Sequence, residues 1–186
     1  MRKLVLIPAL LLAALAFGQE MLTNGDFEQD LTVGWTHLDS GSGTHEVARD
    51  AGYEPDPDYE AYIYQYDNPG STILVQTVEV PWTLVKLSFR ASFEEAGGSS
   101  SCWPAACVNV VYYNATDAIL GETRYYYSTY ANWTASPTLS LYRISDPAWA
   151  SYELDIDQEL ATNLTGVDPG QVTKIGVALT AYTSGG

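Results

Sequence analysis

The chain has 186 residues and a formal net charge of −15, with 23 acidic residues against 8 basic ones. So acidic a surface repels phosphate backbones and anionic lipids, which excludes nucleic acid and leaves neutral polymers, cations and basic surfaces as partners. With 46% hydrophobic residues the chain is long enough for one domain with a real core.

The first element is a leader. Arg2 and Lys3 precede an apolar run, Leu4 to Phe17, and Ala16-Phe17-Gly18 supplies small residues where a signal peptidase reads. A bilayer-spanning helix needs about 20 apolar residues, so the run is short for a membrane anchor. Residues 1–18 are read as a signal peptide cleaved near Gly18–Gln19, and no cysteine at that point argues for a lipid anchor. Loss of Arg2 and Lys3 takes the net charge from −15 to −17. A single exported domain then spans residues 19–186, secreted or held at the surface of a bacterial type of cell.

From there the chain alternates with period two between turn clusters, the pattern of half-buried strands. The spacing predicts strands over Glu60–Tyr66, Thr72–Val80 and Leu84–Phe93. In the last of these Val85, Leu87, Phe89, Ala91 and Phe93 share one face, and Lys86, Ser88, Arg90 and Ser92 the other. Next come Cys102 and Cys107, five positions apart, read as one local disulfide. So small a loop would contribute only about 2 kcal/mol. Further strands are predicted over Val108–Tyr113, Ile119–Ser128, Thr138–Ile144, Tyr152–Ile156 and Thr173–Tyr182. One short helical turn, Asp157–Asn163, is the exception. Strands at this density, without helices between them, require a two-sheet sandwich or a barrel.

Several stretches then fall in a telling order. Asn24-Gly25-Asp26-Phe27-Glu28 with Gly34-Trp35 comes first, followed by Leu74-Val75-Gln76-Thr77-Val78-Glu79-Val80 and Leu84 to Ala91. Val108 to Tyr113, Trp149 ahead of Tyr152 to Ile156, and Val172 to Leu179 complete the series. This series resembles the jelly-roll carbohydrate-binding modules of the galactose-binding-like superfamily, over most of residues 21–182. The resemblance implies an all-β fold, a two-sheet antiparallel jelly roll, and a non-catalytic domain that binds glycan through aromatics on a concave sheet face. It also implies a structural calcium ion near the opening stretch, with Glu28 the better ligand and Asp26 the poorer. The chain departs from the family in two places. A closing strand with an aspartate is missing, as though the domain were truncated at its C-terminus, and Tyr126 to Pro147 is longer and more aromatic than usual. An unclosed sheet edge invites self-association.

In the opening stretch itself, Asn24-Gly25 offers a turn with a positive φ, and Phe27 and Trp35 are expected to bury between the layers. Fourteen tyrosines and five tryptophans make aromatics the natural ligand contacts. Tyr62, Tyr64 and Tyr66 share one side of a strand, about 6.6–6.8 Å apart. Tyr125 and Tyr127 do the same elsewhere, with Tyr126 opposite. These five, with Trp133 and with Arg90 as a charge-assisted donor, are the candidate carbohydrate contacts. The competing reading places the tyrosine stripes in the core. Tyr130 stands with Trp133 in the aromatic tract, Trp82 and Trp103 are weaker candidates, and Trp35 and Trp149 are assigned to packing.

Catalysis has little support. His37 and His45 are the only histidines and lack a serine nucleophile in a recognisable setting. Asp56, Asp58 and Glu60 could furnish a glycosidase pair, but prolines hold that segment extended, and loosely bound calcium suits it better. Asn114, Asn132 and Asn163 begin N-glycosylation patterns that are read as coincidence. Two alternatives to glycan binding stand: a structural surface or matrix component that uses the sandwich for assembly, and a glycoside hydrolase fragment.

Overall fold

Alternation such as Leu87, Phe89 and Ala91 buries one face of a strand and leaves the other wet, so every such strand needs a covering layer. The structure, a computed structural model, describes residues 20–52, 58–80, 85–95 and 97–184. The leader, Asp56 and Trp82 lie outside the described residues.

The strands are β1 (Thr36–Gly41), β2 (Thr44–Asp50), β3 (Glu60–Tyr66), β4 (Gly70–Glu79) and β5 (Lys86–Ala91). They continue with β6 (Pro104–Tyr113), β7 (Ile119–Tyr127), β8 (Leu139–Arg143), β9 (Ala150–Asp155) and β10 (Lys174–Thr183). One helix, α1, spans Ile156–Thr162. Strands β1, β4, β10, β6, β7 and β8 bond in that order into a six-stranded sheet. Two ribbons, β2–β3 and β5–β9, cover one face of it, which makes the molecule a two-layered β-sandwich.

Neighbours pair antiparallel with one exception: β7 and β8 run parallel. The long tract after Tyr127 explains this, because a parallel return needs a crossover and cannot be made by a tight turn. The last described strand, β10, lies between β4 and β6, so the edges of the large sheet are β1 and β8.

The inner face of the large sheet presents Leu74, Val108, Val110, Tyr112, Tyr125, Ile175 and Val177. Val47, Ala61 and Ile63 from one ribbon, with Leu87, Phe89 and Leu154 from the other, close over them. Helix α1 starts where Asp155 accepts a hydrogen bond from the Gln158 N–H. It carries Leu160, followed by Leu164 and Val167, into one end of the core.

The opening loop is built around Asn24. It is Asn24 (φ 52°), rather than Gly25, that takes the positive φ, and Phe27 (φ 57°) follows it. The Asn24 amide nitrogen lies 3.1 Å from the Gln29 carbonyl and 3.2 Å from that of Asp30, while Oδ1 accepts from the Gln29 N–H at 2.8 Å. Trp35 is buried against Phe27 with ring centroids 5.2 Å apart, and its Nε1 donates to the Asn24 carbonyl. Gly34 sits at φ 87°, where a Cβ would fall 2.7 Å from the Thr23 carbonyl, so the Gly-Trp pair is required by space as well as by backbone. Buried Gln76 completes the loop: it accepts from the Thr23 N–H at 2.6 Å and donates to the Thr23 carbonyl at 2.8 Å.

Cys102 and Cys107 are both free, contrary to the expected disulfide. Trp103 bonds to Ser184 beyond the β10 ladder, and the chain from there through Cys107 runs extended on β6. Four extended residues span about 13 Å, well past the Cα separation of about 7 Å that a disulfide tolerates.

Candidate functional site

Strand parity decides which side chains reach solvent on the large sheet. Cys107 pairs with Tyr126 and Thr180, and Asn109 with Arg124 and Ala178, so these residues share the face turned away from the ribbons. On β6 this outer face carries only Ala105, Cys107 and Asn109 near the chain's turn toward the aromatic tract. Small residues leave room for large rings from the flanking loops, and two tryptophans take it. Trp103 enters from just before β6 and Trp133 from the tract after β7, both half-buried against Ala105, Cys107, Tyr126 and Ala131.

The rings meet edge to face. Trp103 and Trp133 have centroids 5.6 Å apart at 79°, and Tyr126 lies 4.9 Å from Trp133. Tyr182 of β10 stands 5.3 Å from Trp103. The Arg124 guanidinium carbon sits 4.3 Å over the Trp133 ring, and Nε donates to Glu122 at 2.8 Å, which holds the cation over the indole. Asn109 donates to the Thr180 hydroxyl at 3.3 Å. Below the rings, burial pushes the Cys107 thiol up to about 12, against the smaller lowering effect of Arg124.

The tract is pinned in place from both sides. Arg143 donates to the Ser128 carbonyl at 2.9 Å, and the Ser128 hydroxyl donates to the Pro104 carbonyl at 2.6 Å. The Ala131 N–H donates back to Ser128 Oγ at 3.0 Å. Trp133 is therefore held by a fastened loop over a rigid sheet.

The candidates named from sequence are scattered. Tyr62, Tyr64 and Tyr66 lie on the side of β3 opposite the inward Ala61, Ile63 and Gln65. Their rings form a ladder, with centroids 6.3 and 6.0 Å apart and planes within 14°. This stripe is outside the core. Tyr125 lies in the core instead of on a solvent face: it is 6% exposed and wedged between Tyr142 (4.7 Å) and Phe89 (5.3 Å). Tyr127 points to the same inner face, half-buried against the core. Arg90 projects from the outer side of β5, in a shallow groove with Ser88, Ser151 and Glu153, apart from either tyrosine stripe. Of the seven, only Trp133 belongs to the aromatic cluster. Its partners Tyr126, Tyr182 and Arg124 were missed, although their odd-even opposition to Tyr125 and Thr183 was visible in the strands.

The opening stretch does not fit a calcium site among the described residues. Glu28 Oε1 accepts from the Tyr59 N–H at 2.9 Å, and Asp26 Oδ1 accepts from the Glu28 N–H at 3.3 Å. The carbonyls that a cation would want, those of Phe27 and Glu28, take hydrogen bonds from the Arg49 guanidinium. Of the second acidic group, Asp58 is exposed and Glu60 begins β3.

Neither family models nor curated proteins match this chain. Solved structures do. One is the enzymatically active domain of bacteriophage CBA120 tailspike protein 4, at 12% identity and TM-score 0.49. That likeness covers 87% of this chain but 19% of the tailspike, so the chain spans about a fifth of that protein. Another is TmCBM61 in complex with β-1,4-galactotriose, at 16% identity and TM-score 0.43, over 90% of this chain and 91% of the other. A third is a family 11 carbohydrate-binding module of Clostridium thermocellum with a β-1,3-1,4-mixed-linked tetrasaccharide, at 12% identity and TM-score 0.42, over 86% and 89%. The sandwich described above rests on this chain's own strand pairing.

Proposed function

We propose that this chain is an exported, non-catalytic glycan-binding domain whose ligand lies on the outer face of the six-stranded sheet, against Trp103, Trp133, Tyr126 and Tyr182. The observation that carries the reading is the pair of half-buried indoles, Trp103 and Trp133, which stand edge to face at 5.6 Å on the outer side of the large sheet beside Tyr126, with Arg124 4.3 Å over one face of Trp133. An aromatic ring fixed in orientation presents a flat apolar surface to the C–H face of a sugar at little entropic cost, and a few polar groups then set register. Arg124, Asn109 and Thr180 are those groups. The strong negative charge of the chain favours uncharged polysaccharide over sulfated or uronic polymers. Export rests on the leader pattern of residues 1–18.

Affinity electrophoresis of the exported chain against neutral polysaccharides tests this, with β-1,4-galactan and mixed-linked β-glucan as the first panel. Retardation by at least one neutral glycan, weakened about tenfold or more by Trp133→Ala and unaffected by Tyr62→Ala, is the expected result; tenfold corresponds to about 1.4 kcal/mol. Migration unaltered by every glycan would overturn the reading. Loss with Tyr62→Ala alone would move the ligand to the β3 ladder.

A further inference from the structure

At the far edge of the large sheet, on β1, lies the one group of three or more His, Cys, Asp or Glu side chains that converge among the described residues. His37 and Asp39 alternate on β1 and project to the same side, and His45 reaches them from β2. His37 Nε2 stands 2.9 Å from Asp39 Oδ1, and His45 Nε2 3.2 Å from Asp39 Oδ2. All three donor atoms lie within 4.8 Å of one another, and the two imidazoles meet edge to face at 5.7 Å.

We propose that His37, Asp39 and His45 form a site for a divalent transition-metal ion, with zinc the best fit, which clamps β1 of the large sheet to β2 of the covering ribbon. Zinc bonds of about 2.0–2.1 Å in a tetrahedron set the ligand atoms roughly 3.3 Å apart. Each imidazole nitrogen stands near that spacing from a different oxygen of Asp39, and the three ligand atoms, already within 4.8 Å of one another, must draw together by about an ångström to close on one ion. Two imidazoles with one carboxylate select zinc, nickel or copper over calcium and magnesium, which prefer all-oxygen shells. Three protein ligands leave a fourth position for water or an external donor, and the exposure of all three residues gives that position a route to solvent.

An outer shell is also present. Thr72, wholly buried, has its hydroxyl 3.0 Å from Asp39 Oδ1 and 2.8 Å from Gln65 Oε1. The hydroxyl has one proton for these two acceptors, and a metal-bound Asp39 would take it as a second layer of side chains does around a metal site, with the Gln65 amide turned to donate to Thr72 through its otherwise unpartnered Nε2. Asp39 and Thr72 pair across β1 and β4, and His45 and Gln65 across β2 and β3. The ion would thus sit where the edges of both layers meet, an edge that β1, with all six residues exposed, holds by little apolar burial.

Equilibrium dialysis of the tag-free full chain against zinc tests the proposal, with cobalt(II) replacing zinc for visible spectroscopy. One equivalent of zinc per chain is expected, with the intense visible bands of tetrahedral cobalt and a raised thermal midpoint in the presence of zinc. His45→Ala and His37→Ala should abolish the cobalt bands, and Thr72→Val should weaken uptake roughly tenfold. His45→Asn is the control for folding, since it keeps a polar side chain at an exposed strand position and should lose the metal but not the metal-free midpoint. No uptake by the parent chain overturns the proposal. So does uptake that survives in both histidine variants, or a cobalt spectrum of octahedral type.

Discussion

Glu159 is the most completely satisfied carboxylate in the core, and it shows how single residues set the pH range of the fold. It is 2% exposed and accepts from Tyr142 at 2.6 Å, Asn163 at 2.7 Å and Thr123 at 2.9 Å. Burial alone would raise its pKa, but the hydrogen bonds from Tyr142, Ser140, Asn163 and Thr123 outweigh it, and the group is held below its ordinary 4.5. A carboxyl whose folded pKa is depressed contributes stability that is fully present above its unfolded pKa and is lost as pH falls through the folded one. Glu159→Gln should therefore cost about 1–3 kcal/mol near neutral pH, because the new amide faces donors with a donor. Urea midpoints measured from pH 7 to pH 3 should show the gap between parent and variant closing below pH 4.5; a gap constant with pH would refute the assignment. Asn24 gives a second case. Its amide holds the loop carbonyls and its backbone is left-handed, so Asn24→Ala should lower stability by about 2–4 kcal/mol. Asn24→Gly, which keeps the φ and loses only the side chain, should recover part of that in a thermal melt.

Among the elements, the strands legible in the sequence were those with one dry face. Leu87, Phe89 and Ala91 in β5 and Ala61 and Ile63 in β3 alternate against the core, whereas β10, buried on both faces, was legible from its apolar run, and all three predicted spans lie within a few residues of those observed. Strands β1 and β2 were not predicted, because Thr36-His-Leu-Asp-Ser-Gly is exposed at every position and has no apolar period to read. Its strand character comes from pairing with β4, a contact no local pattern encodes. The face of the proposed site was half legible for a similar reason. That tyrosines alternate on β7 was plain, but which parity faces out depends on what covers the sheet, and the ribbons cover the side of Tyr125. The same parity puts Cys107 beneath the tryptophans, with its thiol pushed up to about 12 by burial. Mild alkylation of the native chain at pH 8 should therefore spare Cys107 and reach half-buried Cys102 first, with both labelled in urea. Mass-spectrometric peptide mapping reads this directly, and a Cys102–Cys107 cross-link in the native protein would contradict the extended path of β6.

Across the whole molecule, the opening loop must be fastened to a ribbon on which it has no strand partner, and Arg49 makes that connection. The side chain leaves β2, donates to the carbonyls of Phe27 and Glu28, and lies with its guanidinium carbon 3.5 Å over the Tyr59 ring. Glu28 then receives the Tyr59 N–H, so loop, ribbon and ring form one closed circuit. A guanidinium is a cation that needs no uptake from solution, and it already occupies the carbonyl oxygens that a structural calcium ion would seek. The thermal midpoint of the chain first freed of transition metal should accordingly be the same in millimolar calcium and in EGTA. Arg49→Met keeps the length and the contact with Tyr59 but removes the charge and the donors, and should cost about 2–4 kcal/mol, the sum of two charge-assisted hydrogen bonds and a cation–π contact less what the methionine regains. The decisive combination is the variant with calcium. If calcium restores the midpoint of Arg49→Met, the carbonyls form a cation site that the arginine fills; if it does not, the loop depends on the guanidinium fork itself. A parent midpoint that falls in EGTA and is restored by calcium but not by zinc would refute the account altogether, since no fastening that arginine supplies depends on calcium.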